Sequence, residues 1–282
     1  MLTVNNLSKR FQHKEVLLSI NLVLENKVYG LLGANGAGKT TLLRCMAGLF
    51  NPQQGEVLYH GEPIHTSKSF HHDLGYLPQS FGMFQELTLY EMMDYICSLR
   101  NISPSQCPSA IARALESVNL EDKTGDRVRS LSGGMLRRAG IAQAILGDTK
   151  VMLLDEPTAG LDPSERIRFK NTISRLKQDK TILISTHIVE DVDASCDSVI
   201  VIDKGRILFN GSCAELKNIA LNKVYHVKET DLAGIAGENF SLKVNETEGK
   251  VYHRILARDK QTFPCQEPSL EDGYMWLVKG MA

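Results

Sequence analysis

Val28-Tyr29-Gly30-Leu31-Leu32-Gly33-Ala34-Asn35-Gly36-Ala37-Gly38-Lys39-Thr40-Thr41-Leu42-Leu43 runs from an apolar stretch through a glycine-rich turn into apolar residues at helical spacing. Val28 to Leu32 reads as a buried strand, and Thr41 to Leu49 as a helix that stops at Gly48. Between them Gly33 to Thr40 fits GxxxxGK[ST] in the strand-to-helix context that this pattern requires. Its glycines let successive backbone N–H groups curl around phosphate oxygens, and the helix start adds a favourable dipole. Lys39 is then placed for the β- and γ-phosphates, and the Thr40 hydroxyl for Mg²⁺.

Working outward, Val151-Met152-Leu153-Leu154-Asp155-Glu156 is an apolar strand ending in two carboxylates, an expensive ending unless the charges meet a cation and a water. Asp155 suits the Mg²⁺ shell, and Glu156 suits polarisation of an attacking water. Thr181 to Ser185 and Val199 to Ile202 are further short apolar runs alternating with helical stretches, which predicts a largely parallel sheet covered on both faces. Lys204-Gly205, between Val199–Ile202 and Arg206–Phe209, reads as a hairpin turn. Between Ser80 and Ser130 the pattern is amphipathic helix, in Leu87 to Leu99 and Ala110 to Leu120, with breaks at Pro104 and Pro108. This is a helical insertion into the α/β core, placed at about 80–148. The core is expected over 1–222, and 223–282 as a small α+β appendix. Its strand-like pieces are Val224–Val227, Phe240–Val244 and Val251–Ala257, and its terminal helix is capped by Ser269 and Asp272.

Composition narrows the partners. The 282 residues carry 32 Lys plus Arg against 33 Asp plus Glu, a net charge of -1, which gives no global field for gripping nucleic acid or an anionic membrane. Cys45, Cys97, Cys107, Cys196, Cys213 and Cys265 are scattered without CxxC or histidine spacing, so small buried hydrophobes in a reduced compartment are expected. No apolar segment approaches the roughly 18 residues of a membrane span, and no leader pattern opens the sequence. Work at a membrane would need another polypeptide for the crossing.

Leu131-Ser132-Gly133-Gly134-Met135 resembles the LSGGQ signature of the ATP-binding subunits of ABC transporters. The resemblance covers about residues 2 to 217. It implies an ABC ATPase core: a P-loop NTPase α/β fold with a mainly parallel sheet, N-terminal antiparallel strands and the helical insertion. By that resemblance Phe11 stacks on adenine, and Gln79, in Tyr76-Leu77-Pro78-Gln79, couples the nucleotide site to the membrane subunit. Asp162, in Ala159-Gly160-Leu161-Asp162, belongs to the D-loop, and His187, in Ser185-Thr186-His187, is the switch histidine on the γ-phosphate. ATP and Mg²⁺ are the implied cofactors. Phe11, Gly33, Asn35, Gly36, Ala37, Gly38, Lys39, Thr40, Thr41, Gln79 and Asp155 hold ATP, with Thr40, Gln79 and Asp155 on Mg²⁺. Lys39, Glu156 and His187 do the chemistry.

The fifth signature position, glutamine in the family consensus, is Met135. The groups expected on phosphate, the Ser132 hydroxyl and the N–H groups of Gly133 and Gly134 at a helix start, survive this change. The family arrangement implies two chains head to tail with ATP between them, each nucleotide meeting Lys39 of one chain and Ser132 of the other. One copy of each motif implies a homodimer or a heterodimer with a second ATPase subunit. It also implies separate transmembrane permease subunits, no nucleic-acid partner and a peripheral position on the cytoplasmic face of the membrane. Gly30-Leu31-Leu32-Gly33, Phe84-Gln85-Glu86-Leu87-Thr88 and the appendix look most like bacterial exporters of drugs, peptides or lipids. A soluble ABC ATPase acting on ribosomes or DNA is the alternative, against which stand the single cassette, the lack of a basic run, the insertion without sustained heptads and the unpaired cysteines. A phosphate-loop kinase explains Gly33 to Thr40 but neither the signature nor His187.

Overall fold

The chain opens on two long antiparallel strands, β1 (Leu2–Phe11) and β2 (Lys14–Leu24), whose buried residues Leu2, Val4, Leu7, Leu17, Ile20, Leu22 and Leu24 line one side. There follow β3 (Val28–Leu32), α1 (Lys39–Met46), β4 (Gln54–Tyr59), β5 (Glu62–Pro63), α2 (Lys68–Asp73) and β6 (Leu74–Leu77). Three longer helices come next, α3 (Leu89–Leu99), α4 (Cys107–Ser117) and α5 (Gly133–Ile145). The core resumes with β7 (Val151–Asp155), α6 (Pro163–Leu176), β8 (Thr181–Thr186), α7 (Val189–Ser195) and β9 (Ser198–Asp203). The end of the chain holds β10 (Arg206–Ser212), α8 (Cys213–Ile219), β11 (Val224–Lys228), β12 (Asn239–Thr247), β13 (Lys250–Ala257) and α9 (Leu270–Val278). This computed structural model describes residues 1–247 and 249–280.

Two units divide the chain, Met1–Ile207 and the stretch from Leu208 onward. In the first, β2-β1-β4-β5 form an antiparallel sheet, and β9-β3-β8-β7-β6 form a parallel one. Every residue of β3, β7 and β8 is buried, as strands covered on both faces must be. Their side chains feed two cores. One joins the antiparallel sheet to α1, and the other joins the helical insertion to the far face of the parallel sheet. Cys45, Cys97 and Cys107 are buried among them, as expected of small hydrophobes, whereas Cys196 and Cys213 are half-buried and Cys265 is exposed.

The local expectations fare well. Helix α1 ends at Met46, and Gly48 follows the cap at φ 74°, where only a residue without Cβ turns the chain cheaply. Lys204 and Gly205 both take positive φ, 45° and 77°, giving a tight hairpin turn after β9. One detail differs: Pro108 does not break a helix but sits in the first turn of α4, where its missing N–H has no intrahelical partner to lose. Among the described residues no helix is long and apolar enough to cross a membrane.

The second unit is a three-stranded antiparallel sheet, β11-β13-β12, with α8 and α9. It begins upstream of the expected 222/223 break. Leu216 of α8 is fully buried, and a Cβ on Gly273 of α9 would stand 1.9 Å from the Leu216 carbonyl oxygen. Helix α8 is thus packed in backbone contact with α9 and cannot be assigned to the first unit. Trp276, Val224, Leu256 and Ala220 form the core on that face. The expected cap at Ser269 is present: its hydroxyl accepts from Asp272 N, and the Asp272 carboxylate accepts from Ser269 N at 2.6 Å. Of the expected appendix 223–282, Glu248, Met281 and Ala282 lie outside the described residues.

Candidate functional site

The parallel order of the sheet brings the C-terminal ends of β3, β7 and β8 side by side, because β8 pairs with both of the others. Crevices at such strand ends are where open α/β sheets bind ligands. Here the end of β3 enters the glycine-rich loop, the end of β7 carries Asp155 and Glu156, and the end of β8 carries Ser185, Thr186 and His187.

The loop has the shape its sequence predicts. A Cβ on Gly33 would lie 2.3 Å from the Ile202 carbonyl oxygen, so only glycine allows the strand end to press against β9 there. Gly38, at φ 112°, leaves the allowed range of other residues just before α1 starts at Lys39. Lys39 is buried, and its ammonium donates to the Gly33 carbonyl at 2.8 Å and the Ala34 carbonyl at 3.2 Å. It also meets Glu156 Oε1 at 3.2 Å.

Both carboxylates are buried, yet they are treated differently. Asp155 Oδ1 accepts from the Ser185 hydroxyl at 2.6 Å, while Asp155 Oδ2 is buried without any partner among the described residues. An unpartnered buried carboxylate oxygen is costly, and a divalent cation is the group that suits it. The donor set, Asp155 with the Thr40 hydroxyl and the Gln79 amide oxygen, is all oxygen, which fits Mg²⁺. Glu156 Oε2 lies 2.8 Å from His187 Nδ1, so its carboxylate bridges Lys39 and His187. The backbone at Glu156 has φ 49°, an uncommon state for a non-glycine residue and one that costs of order 1–3 kcal/mol. Glu156 N is anchored by donating to Ser185 Oγ at 2.9 Å and Ser185 O at 3.2 Å.

A cavity of about 350 Å³ opens over this floor, lined by Asn35, Gly36, Gly38, Lys39, Thr40, Thr41, Gln79 and Glu156. Lys14 and Val16 of β2 complete it, two residues that no motif pointed to. Gly33 and Ala37 shape the loop beneath, Ala37 N donating to the Ala34 carbonyl. Phe11 does not line the cavity. It is 42% exposed, edge-on to Phe50 at 5.5 Å, with the Lys9 ammonium 5.2 Å from its ring centroid.

Leu131 to Met135 and Asp162 do not line it either. The Ser132 hydroxyl caps α5 by accepting from Met135 N at 3.2 Å, and Met135 packs on the core of the helical insertion. Asp162 caps α6, and the backbone N–H of Glu165 holds its carboxyl below the usual range.

Sequence reasoning also passed over Ser185 and Arg137. Ser185 is the register partner of Asp155 across β7 and β8, so its hydroxyl falls beside that carboxylate. Arg137 of α5 donates to three backbone carbonyls, those of Glu156, Pro157 and Gln79.

Residues 18–159 match the ABC transporter family. Over 226 residues the chain is 35% identical to the ABC transporter ATP-binding protein YxlF of Bacillus subtilis (strain 168), covering 80% of this chain and 75% of that one. It is 37% identical over 211 residues to the Nod factor export ATP-binding protein I of Burkholderia orbicola (strain AU 1054), covering 73% and 69%. Of several longer relatives it spans between 13% and 55% of the length. Among solved structures, cbiO1 of Clostridium perfringens, part of the ABC transporter complex cbiONQ, superposes with a TM-score of 0.70 at 27% identity, covering 76% of this chain and 89% of that one.

Proposed function

The chain belongs to the family of ABC transporter ATP-binding proteins, and from that membership we propose that it binds ATP with Mg²⁺ over the Lys39 loop and hydrolyses it to drive transport by separate membrane-spanning subunits. The observation that carries the site assignment is the buried Glu156 carboxylate, which reaches Lys39 of the phosphate loop on one side and His187 on the other.

The chemistry asked of these residues is mainly positioning and charge stabilisation. The loop N–H groups and Lys39 take the β- and γ-phosphate oxygens. Thr40, Gln79 and Asp155 would hold Mg²⁺, which would supply positive charge against the negative charge of the phosphates. Glu156 accepts a proton from the attacking water as its oxygen bonds to the γ-phosphorus and the bond to the bridging oxygen breaks, giving ADP and phosphate. His187, its ring half-exposed, holds the Glu156 carboxylate in place. Lys14 and Val16 of β2, which line the cavity, join Phe11 as candidates for the adenine side.

Within one chain the signature residues 131–135 and Asp162 stand outside the cavity that holds Lys39. A second copy or a second ATPase subunit, packed head to tail, supplies them. The permease subunits dock beside the Gln79 loop, where Phe84 and Tyr95 form an exposed aromatic pair with ring centroids 5.5 Å apart. Such a pair, Phe84 on the loop and Tyr95 on α3, suits a partner that must feel the state of the site. The chain is then peripheral, at the cytoplasmic face, and export is favoured by the resemblance to exporter subunits. A kinase would pass phosphate to an acceptor, whereas this site releases it to water.

Replacing Glu156 by Gln tests the base role. ATP binding is expected to persist, turnover to fall by about a hundredfold or more, and a dimer of twice the monomer mass to accumulate with ATP. Hydrolysis at the wild-type rate would remove Glu156 from that role.

A further inference from the structure

We propose that Arg137 is a positioning residue that fixes Glu156 and the Gln79 loop from α5, so that ATP turnover depends on where α5 sits. The proposal rests on Glu156 being the base. Arg137 Nη2 donates to the Glu156 carbonyl at 2.6 Å, Nε to the Pro157 carbonyl at 3.0 Å and Nη1 to the Gln79 carbonyl at 3.0 Å. The three acceptors come from the two loops that follow the paired strands β6 and β7, 19 or 20 residues away along the chain on one side and 58 on the other. Beneath the guanidinium lies the ring of Phe81, 5.7 Å from its central carbon to the ring centroid.

A planar fork with five N–H donors can satisfy three carbonyls that approach from different directions. An ammonium concentrates its donors at one point and reaches fewer of them in good geometry. The grip matters because of the backbone it holds. Glu156 stays at φ 49° only if its surroundings over-determine it. Its N–H is tied to Ser185, in the sheet. The peptide on its other side is tied to Arg137, in the helical insertion. One clamp belongs to the rigid core and the other travels with α5.

The same helix begins at Ser132, about one and a half turns before Arg137. Whatever engages the N-terminus of α5 therefore acts on an element that ends in the hold on Glu156. The Gln79 carbonyl, on the same guanidinium, ties the expected Mg²⁺ ligand to the same element. Burial pulls the Arg137 pKa below its ordinary value, against the opposing pull of the neighbouring Asp155 and Glu156 charges.

The test compares the full-length wild type with Arg137→Lys, Arg137→Ala and Glu156→Gln, measuring ATP turnover, ATP affinity and melting temperature. Both Arg137 variants are expected to lose about 10- to 100-fold in kcat, since small misplacements of a reacting group cost that much. KM and ATP affinity should stay within about twofold, the range of a residue that does not bind substrate. Guanidinium ion added at millimolar concentration should restore part of the turnover of Arg137→Ala. Unchanged kcat, or a loss matched by weaker ATP binding and a lower melting temperature without such rescue, overturns the proposal. If Glu156→Gln still turns over, the base reading fails and takes this one with it. If Glu156→Gln is inert while Arg137→Ala runs at the wild-type rate, the role of Arg137 alone fails.

Discussion

Ser185 serves two groups with one hydroxyl: it donates to Asp155 Oδ1 and accepts from Glu156 N. Replacing it with Ala leaves the buried Asp155 carboxylate short of a donor and Glu156 N with the Ser185 carbonyl alone, which costs about 1–3 kcal/mol. Turnover of Ser185→Ala should fall while ATP binding by the loop persists, and denaturant melts alongside turnover assays separate the two effects. The residues proposed to bear the chemistry differ in how far sequence betrays them. Lys39, Thr40, Asp155 and Glu156 announce themselves because glycine, lysine and carboxylate at strand ends are chemically conspicuous. Arg137 does not, because its partners are carbonyl oxygens, which every residue has and no letter records. Phe11 is a matching aromatic at its motif position whose ring packs edge-on against Phe50 and lies outside the cavity lining.

At the scale of elements, the helices rest on carboxylates at their starts. In α3 the Glu91 carboxylate accepts from Thr88 N at 2.7 Å, and in α8 Glu215 does the same for Ser212 N at 2.7 Å. These backbone hydrogen bonds are the main reason both carboxyls are held below their usual value of 4.5. A group whose folded pKa is depressed adds stability above its unfolded pKa and loses it as pH falls through the folded value. Glu91→Gln is therefore expected to lower stability near neutral pH and to flatten the acid limb below 4.5, with urea midpoints along a pH series as the measurement. Periodicity made α3 legible in sequence as part of Leu87 to Leu99, and Ser269 with Asp272 marked the start of α9. It failed where a boundary depends on packing. Nothing in Cys213–Ile219 says that it belongs with Gly273, since the missing Cβ matters only once two helices touch. Pro108 misled for a related reason: the residue that ends a helix also opens one.

For the whole molecule the prediction concerns pairing. A Cβ added at Gly133 would meet nothing within 4 Å in its own chain, so this position at the start of α5 is open space to the monomer. Gly133→Leu should leave melting temperature and monomer ATP binding unchanged while abolishing the ATP-dependent dimer and turnover. A normal dimer by size-exclusion with light scattering would sink the assignment of residues 131–135 to a partner's site. The left-handed backbone at Glu156 reaches further, into the routes open to the chain as its sequence drifts. Most substitutions there would change conformation along with charge, and β-branched residues tolerate φ 49° worst. Glutamine, which keeps the length and shape of the side chain, gives the cleaner test. A descendant that abandoned hydrolysis would pass most easily through glutamine, asparagine, aspartate or glycine. A valine or threonine at 156 in some relative would instead signal a reshaped loop, and with it a different claim on the Ser185 and Arg137 hydrogen bonds.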